Sequence, residues 1–122
     1  MSIKTKEFFN KMLEFIPSTV DEYNNSINEH GELLETIVVE DVFMPEIIKL
    51  LSKNENTHLL KKIFEYFEKV SNCEDEKLLN IFSVTVLEVL GNDKGILEIA
   101  QTYMGKKTYE LQLEADKDLG RI

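Results

Sequence analysis

The chain has 122 residues, with 14 Lys and Arg against 23 Asp and Glu, so its formal net charge is −9. This length fits a single domain over residues 1–122, and a hydrophobic content of 43% is enough for a packed core. The acidic excess argues against direct binding of nucleic acid, because that binding relies on Lys and Arg to neutralise phosphates.

Three features of the sequence bear on its cellular setting. The apolar runs, such as Ile37-Val38-Val39, are much shorter than a bilayer span, so no membrane contact is expected. Residues 1–15 carry charges within their apolar stretch and therefore lack the apolar core of a signal peptide. Cys73 is the single cysteine, so it cannot form an internal disulfide. Together these features predict a cytoplasmic protein.

The first two helices are predicted from apolar spacing and from the residues that end them. Residues 4–16 place four apolar side chains on one helical stripe: Phe8, Met12, Phe15 and Ile16. Pro17 ends this helix. A more polar second helix follows, with Ser18 or Thr19 as its cap and Gly31 as its stop.

Residues 33–43 are compatible with either a helix or a strand. The segment is rich in β-branched residues, which favour a strand over 36–43. A helical stripe is also present: Leu34, Ile37, Val38 and Val42. Pro45 is typical of the first turn of a helix, so residues 46–53 are predicted to form a separate one.

The central part of the chain has the clearest helical pattern. Thr57 is positioned to cap a helix ending at Val70, whose core stripe is Leu60, Ile63, Phe64, Phe67 and Val70. The opposite face is predicted to be solvated and carries Lys61, Lys62, Glu65, Glu68 and Lys69. The next helix, residues 74–90, begins near Asn72 and Asp75 and is apolar nearly all round. It is therefore predicted to be the most buried helix and to lie at the centre.

Two shorter helices complete the prediction. One covers residues 94–104 and stops at Gly105, and the other covers 108–119, with Thr108 as its cap and Gly120 at its end. From residue 33 onward the helices form three antiparallel pairs: 33–43 with 46–53, 57–70 with 74–90, and 94–104 with 108–119. The predicted fold class is all-α, with about seven helices that either stack as HEAT-like hairpins or pack as an irregular bundle.

Candidate catalytic groups and metal ligands are few. The sequence contains no GxGxxG, P-loop, HExxH or CxxC motif. His30 and His58 are assigned structural roles, and the acidic neighbours of Cys73 oppose formation of a thiolate. Glu88 is the one carboxylate directed at a packed interior, and a structural acid is favoured over an active-site acid there. We therefore expect no enzymatic activity, no metal and no cofactor.

Acidic residues are concentrated in the first third of the chain. Residues 12–48 contain nine acids but no Lys or Arg over 37 positions. Such a surface can serve solubility alone, or it can dock a basic partner. The complete exclusion of bases favours docking, with Tyr23 or Phe43 flanking the contact. The predicted partner-binding residues, called the acidic surface below, are Asp21, Glu22, Glu29, Glu32, Glu40, Asp41 and Glu46.

Four short stretches resemble a known class of proteins: residues 42–48 (VFMPEII), 85–91 (TVLEVLG), 103–105 (YMG) and 119–121 (LGR). They resemble small helical immunity proteins of polymorphic toxin systems, including contact-dependent growth inhibition. The resemblance implies a cytoplasmic inhibitor of a cognate toxin domain, typically a basic nuclease. It implies no particular binding residues, because such inhibitors use variable surfaces. The alternative is a structural or regulatory adaptor that binds another protein without a toxin partner.

Overall fold

The computed structural model describes all residues, Met1–Ile122, and contains seven helices and no strands. The all-α fold class is thus confirmed. Five helices are regular: α1 (Ile3–Phe15), α2 (Val20–His30), α4 (Thr57–Ser71), α6 (Lys94–Gln101) and α7 (Lys106–Asp118). The other two contain a π-helical segment. In α3 the parts are Glu35–Val38, the π-helical Val39–Phe43 and Met44–Lys53; in α5 they are Glu76–Ile81, the π-helical Phe82–Leu87 and Glu88–Leu90.

Helix α3 continues through Pro45, so the predicted separation into helices 33–43 and 46–53 is wrong. Proline has no N–H and its ring clashes with the carbonyl four residues earlier in a regular α-helix. Just before Pro45, however, the Met44 N–H donates to the Val39 carbonyl, five residues back. This wider π turn accommodates the proline without ending the helix. The alternative of a strand over 36–43 is wrong as well.

Helix α5 lies at the centre of the structure, as predicted, and contacts α1, α3, α4, α6 and α7. Its π-helical segment packs against the π-helical segment of α3. The contact between α1 and α5 joins helices that are distant in sequence. In a HEAT-like solenoid each repeat packs on its neighbours. The structure is therefore an irregular bundle, and none of its helices is long and apolar enough to cross a membrane.

A hydrophobic core of 24 buried residues joins the helices. The predicted stripe of α4 is confirmed, since all five of its residues are buried. Phe67 on this stripe packs edge-on against Phe82 of α5, with ring centroids 5.2 Å apart. The burial of α5 is less complete than its sequence indicates, because Val84 is 45% exposed.

The predicted helix ends are correct in part. The Asp75 side chain caps α5 by accepting a hydrogen bond from the Leu78 N–H at 2.9 Å. Gly31 ends α2 in the left-handed conformation, at φ 73°. Asn56, rather than Thr57, caps α4 with its side chain. Thr19 precedes α2 but makes no capping hydrogen bond.

The start of α7 is held by a side chain from α4. Glu68 Oε2 accepts a hydrogen bond from the Lys107 N–H at 3.0 Å. Its Oε1 accepts from the Thr108 N–H at 2.8 Å and from the Thr108 hydroxyl at 2.9 Å. The Thr108 hydroxyl also lies 2.8 Å from the Ser71 hydroxyl. The prediction of a solvated Glu68 and of Thr108 as the cap is therefore wrong, because Glu68 caps α7 across 40 residues of sequence.

Gly105 makes room for this cap. A Cβ at Gly105 would lie 2.5 Å from Glu68 Cδ, so any side chain there would displace the carboxylate. Burial raises the pKa of Glu68, but hydrogen bonds from Thr108, Lys107 and Asn72 favour the charged form, and the net effect is a lowered pKa. The carboxylate is thus ionised where the N–H groups of α7 need an acceptor.

Replacing Glu68 by Gln is expected to destabilise the fold by about 1–2 kcal/mol at neutral pH, because an amide accepts these hydrogen bonds less strongly. A carboxyl group whose pKa is lower in the folded state stabilises the fold at pH values above its unfolded-state pKa. This contribution is lost as the pH falls through the folded-state pKa. Urea denaturation measures the free energy of unfolding of the Glu68→Gln variant and of the unchanged protein. The difference between these two values should shrink from about pH 7 to about pH 3. Glu65→Gln on the same helix is the control. A difference that stays constant on acidification would contradict the role of the charge.

Replacing Phe82 by Ala is expected to cost about 3–5 kcal/mol, because this fully buried ring lies between α4 and α5. Val84→Ala on the same helix is the matched control, and we expect it to cost less than about 1 kcal/mol. Urea denaturation measures both values. A loss below about 1 kcal/mol for Phe82→Ala would mean that this ring does not fill the core.

Candidate functional site

The acidic surface is formed by α2, the turn after it, and α3. Six of its seven residues are exposed, and Glu46 is partly buried. The ion pairs of the chain involve other acids: Glu7, Glu14, Glu110 and Asp116. None of the seven predicted carboxylates therefore forms an ion pair within the chain.

Three of the seven carboxylates line one groove between α2 and α3, with a volume of about 210 Å³. Glu22 and Glu29 are seven residues apart and so share a face of α2. Asp41 reaches the same groove from the π-helical segment of α3. We call this feature the acidic groove, and its other lining residues are Asn25, Ser26, His30, Ile37 and Val42.

The other four predicted residues lie outside the acidic groove. Asp21, Glu32 and Glu46 do not line it, and Glu40 lines a different groove together with Val84. The structure thus brings together three of the seven. Sequence analysis also missed several groove residues, such as Asn25 and Ser26, although their spacing of three and four from Glu22 places them on its helical face.

Aromatic stacking positions α2 against the core. Tyr23 stacks on Phe43 with ring centroids 6.1 Å apart and an interplanar angle of 15°, and it lies 6.4 Å from Phe9. Because α2 has no fully buried residue, its position depends on half-buried contacts of this kind. Phe43 is fully buried, so the prediction that it flanks a partner contact is wrong. Tyr23 is half-buried at the edge of the acidic surface.

The acids of α2 lie at opposite ends of the helix dipole. Asp21 and Glu22 are in the first turn, where the partial positive charge of the backbone favours carboxylates. Glu29 precedes the last residue of α2, where the partial negative charge of the carbonyls opposes a carboxylate. The position of Glu29 is therefore unfavourable for helix stability.

The buried acid of this chain is Asp116, not Glu88. The Glu88 carboxylate is half-buried and makes no hydrogen bond within the chain, so the prediction of a buried, hydrogen-bonded acid at this position is wrong. Asp116 is 3% exposed, and its Oδ1 accepts hydrogen bonds from Gln112 Nε2 at 3.1 Å and Arg121 Nη1 at 3.4 Å. Gln112 Nε2 also donates to the Leu87 carbonyl at 2.9 Å. This network fastens α7 to α5, and no local pattern in the sequence signals it.

The chemistry available at the acidic groove is that of hydrogen-bond acceptance. Its three carboxylates can each accept hydrogen bonds from the guanidinium or ammonium groups of a partner. No group of three or more His, Cys, Asp or Glu side chains is arranged to hold a metal ion. The arrangement thus suits recognition of Arg and Lys on another molecule.

A family model described as a domain of unknown function, DUF7674, matches residues 9–119. The match covers most of the chain, which therefore belongs to this family. No curated protein and no solved structure matches the chain.

Replacing Glu29 by Gln is expected to stabilise the fold by about 0.3–0.5 kcal/mol at low ionic strength, since it removes a negative charge from the carbonyl end of α2. Glu22→Gln, in the first turn of the same helix, is the matched control and should have the opposite sign. Urea denaturation at low and high salt measures both changes, and high salt should suppress them. Destabilisation by Glu29→Gln would contradict the unfavourable position of this carboxylate.

Proposed function

We propose that this member of the DUF7674 family is an immunity protein, which binds a basic toxin domain through the acidic surface and neutralises it. One observation carries the proposal. Glu22, Glu29 and Asp41 line a single groove and form no ion pair within the chain, in a segment of 37 residues that lacks Lys and Arg.

The electrostatics of toxin inhibition support this role. A nuclease must attract phosphates, so its substrate cleft carries Lys and Arg. A protein with unpaired carboxylates can occupy or cover such a cleft, and its field accelerates association with the basic partner. An inhibitor of this kind needs a rigid complementary surface and no catalytic group.

The unfavourable position of Glu29 supports docking over solubility. Solubility requires net negative charge but no particular placement of it. A carboxylate at the carbonyl end of α2 opposes the helix dipole, whereas in the acidic groove it adds to the charges of Glu22 and Asp41. A basic partner would therefore stabilise these three carboxylates by supplying positive charge in the acidic groove.

The test first asks whether a gene next to that of this chain encodes a secreted protein with a toxin domain, and the absence of such a neighbour would contradict the proposal. The toxin domain is then used to measure binding kinetics and the growth of toxin-expressing cells. The double variant Glu22→Lys with Asp41→Lys reverses two charges in the acidic groove. We expect it to bind at least about tenfold more weakly, with slower association and loss of protection. Glu46→Lys, outside the groove, should have a smaller effect. Raising the salt concentration should slow association of the unchanged protein.

The matched control is Glu98→Lys with Glu114→Lys, which changes the net charge equally on the exposed surfaces of α6 and α7. It should bind within about twofold of the unchanged protein. Equal weakening by both double variants would show that net charge alone matters and would contradict the proposed surface. Binding without protection of the cells would refute the immunity role and favour an adaptor.

A further inference from the structure

A further groove, with a volume of about 300 Å³, lies between α1, α4 and the start of α5. Its floor contains the apolar side chains of Phe15, Val70 and Leu78, together with Tyr66 and Cys73. Its rim consists of six charged residues: Lys4, Glu7, Lys11, Lys62, Glu65 and Lys69. We call it the lysine groove. Its volume lies at the lower end of the range for small-molecule sites.

The two long walls of the lysine groove repeat one sequence pattern. Residues 4–11 read KTKEFFNK and residues 62–69 read KIFEYFEK, so each has a lysine, a glutamate three positions later and a second lysine seven positions from the first. At 1.5 Å per residue the two lysines of a wall are about 10 Å apart along the helix. Phe8 and Tyr66 occupy the same place in the pattern, and their rings stack at 6.1 Å. Each wall is therefore positive at both ends and negative between them.

Two of the four lysines in the groove form no ion pair and are free to meet a ligand. Lys62 and Lys69 form no ion pair within the chain, whereas Lys11 forms a long ion pair of 4.0 Å with Glu14, which lies outside the groove. Lys4 pairs with Glu7 at 3.4 Å. Four lysines and two glutamates leave a charge of +2 here, in a chain whose net charge is −9.

Tyr66 adds a neutral hydrogen-bond donor to the groove. Its hydroxyl makes no hydrogen bond within the chain. Burial raises the pKa of Tyr66 to about 12, and the negative charge of Glu7 contributes in the same direction. The hydroxyl is therefore protonated at neutral pH and can donate to an acceptor that enters the groove.

We propose that the lysine groove binds an elongated small molecule with an anionic group at each end and a flat, uncharged middle. The end groups meet the lysines, and the middle lies on the apolar floor beside Tyr66. Glu7 and Glu65 repel negative charge from the middle of the site. A uniformly acidic peptide, or a compact anion that bridges the walls centrally, is disfavoured for the same reason.

The probe for this site is biphenyl-4,4′-disulfonate, which carries a sulfonate at each end of two aromatic rings. Titration calorimetry with the full chain should show binding at a single site, and biphenyl-4-sulfonate should bind at least about tenfold more weakly. Lys11→Gln with Lys62→Gln, one lysine from each wall, should weaken binding of the disulfonate about tenfold or more. Tyr66→Phe should weaken it by a smaller factor.

The matched control is Lys6→Gln with Lys61→Gln, because both lysines are exposed on the same two helices but do not line the groove. It should bind the disulfonate within about twofold of the unchanged protein. Circular dichroism establishes that each variant stays folded. The proposal is overturned if the control loses as much affinity as the groove variant, if the monosulfonate binds equally well, or if no disulfonate binds. Displacement of the probe by a polyglutamate peptide would favour an acidic protein segment as the ligand instead.

Discussion

The contact between the π-helical segments of α3 and α5 is the constraint on which the rest of the bundle depends. Three consecutive residues are buried at the end of each segment. They are Val42-Phe43-Met44 in α3, where Met44 is the first residue after the segment, and Thr85-Val86-Leu87 in α5. A regular α-helix turns by about 100° per residue, so three successive positions do not share one narrow stripe. The wider π turns allow both helices to present a broad apolar surface at the centre. Five other helices can then pack around α5 and α3 in a single core.

The same geometry determines where the acids of α3 lie. Within its π-helical segment Val39, Val42 and Phe43 are buried, and the two positions between them, Glu40 and Asp41, are exposed and line different grooves. Phe43 also provides the surface on which Tyr23 stacks. The core thus positions both walls of the acidic groove, because one buried ring supports α2 while its own helix carries Asp41.

Sequence patterns predict those parts of the fold that depend on neighbouring residues. The stripe of α4, the cap at Asp75 and the stop at Gly31 each follow from a local rule. Sequence rules predict a new helix at Pro45, whereas the structure accommodates this proline within α3 through a π turn, which has no simple sequence signal. The cap from Glu68 and the network of Asp116 join residues 25 to 40 positions apart, so they follow only from the tertiary packing.

The acidic groove and the lysine groove show how far surface charge can be predicted from the sequence. The acids of α2 and α3 belong to one contiguous segment, so an excess of nine negative charges over residues 12–48 is visible in the sequence. The lysines of the lysine groove come from α1 and α4, which are distant in sequence. Residues 49–77, which include α4, contain equal numbers of acids and bases. The packing of α1 against α4 brings four lysines together in the lysine groove. Exposed charges are screened beyond about 8 Å at physiological ionic strength, so such local arrangements outweigh the net charge in deciding what each groove attracts.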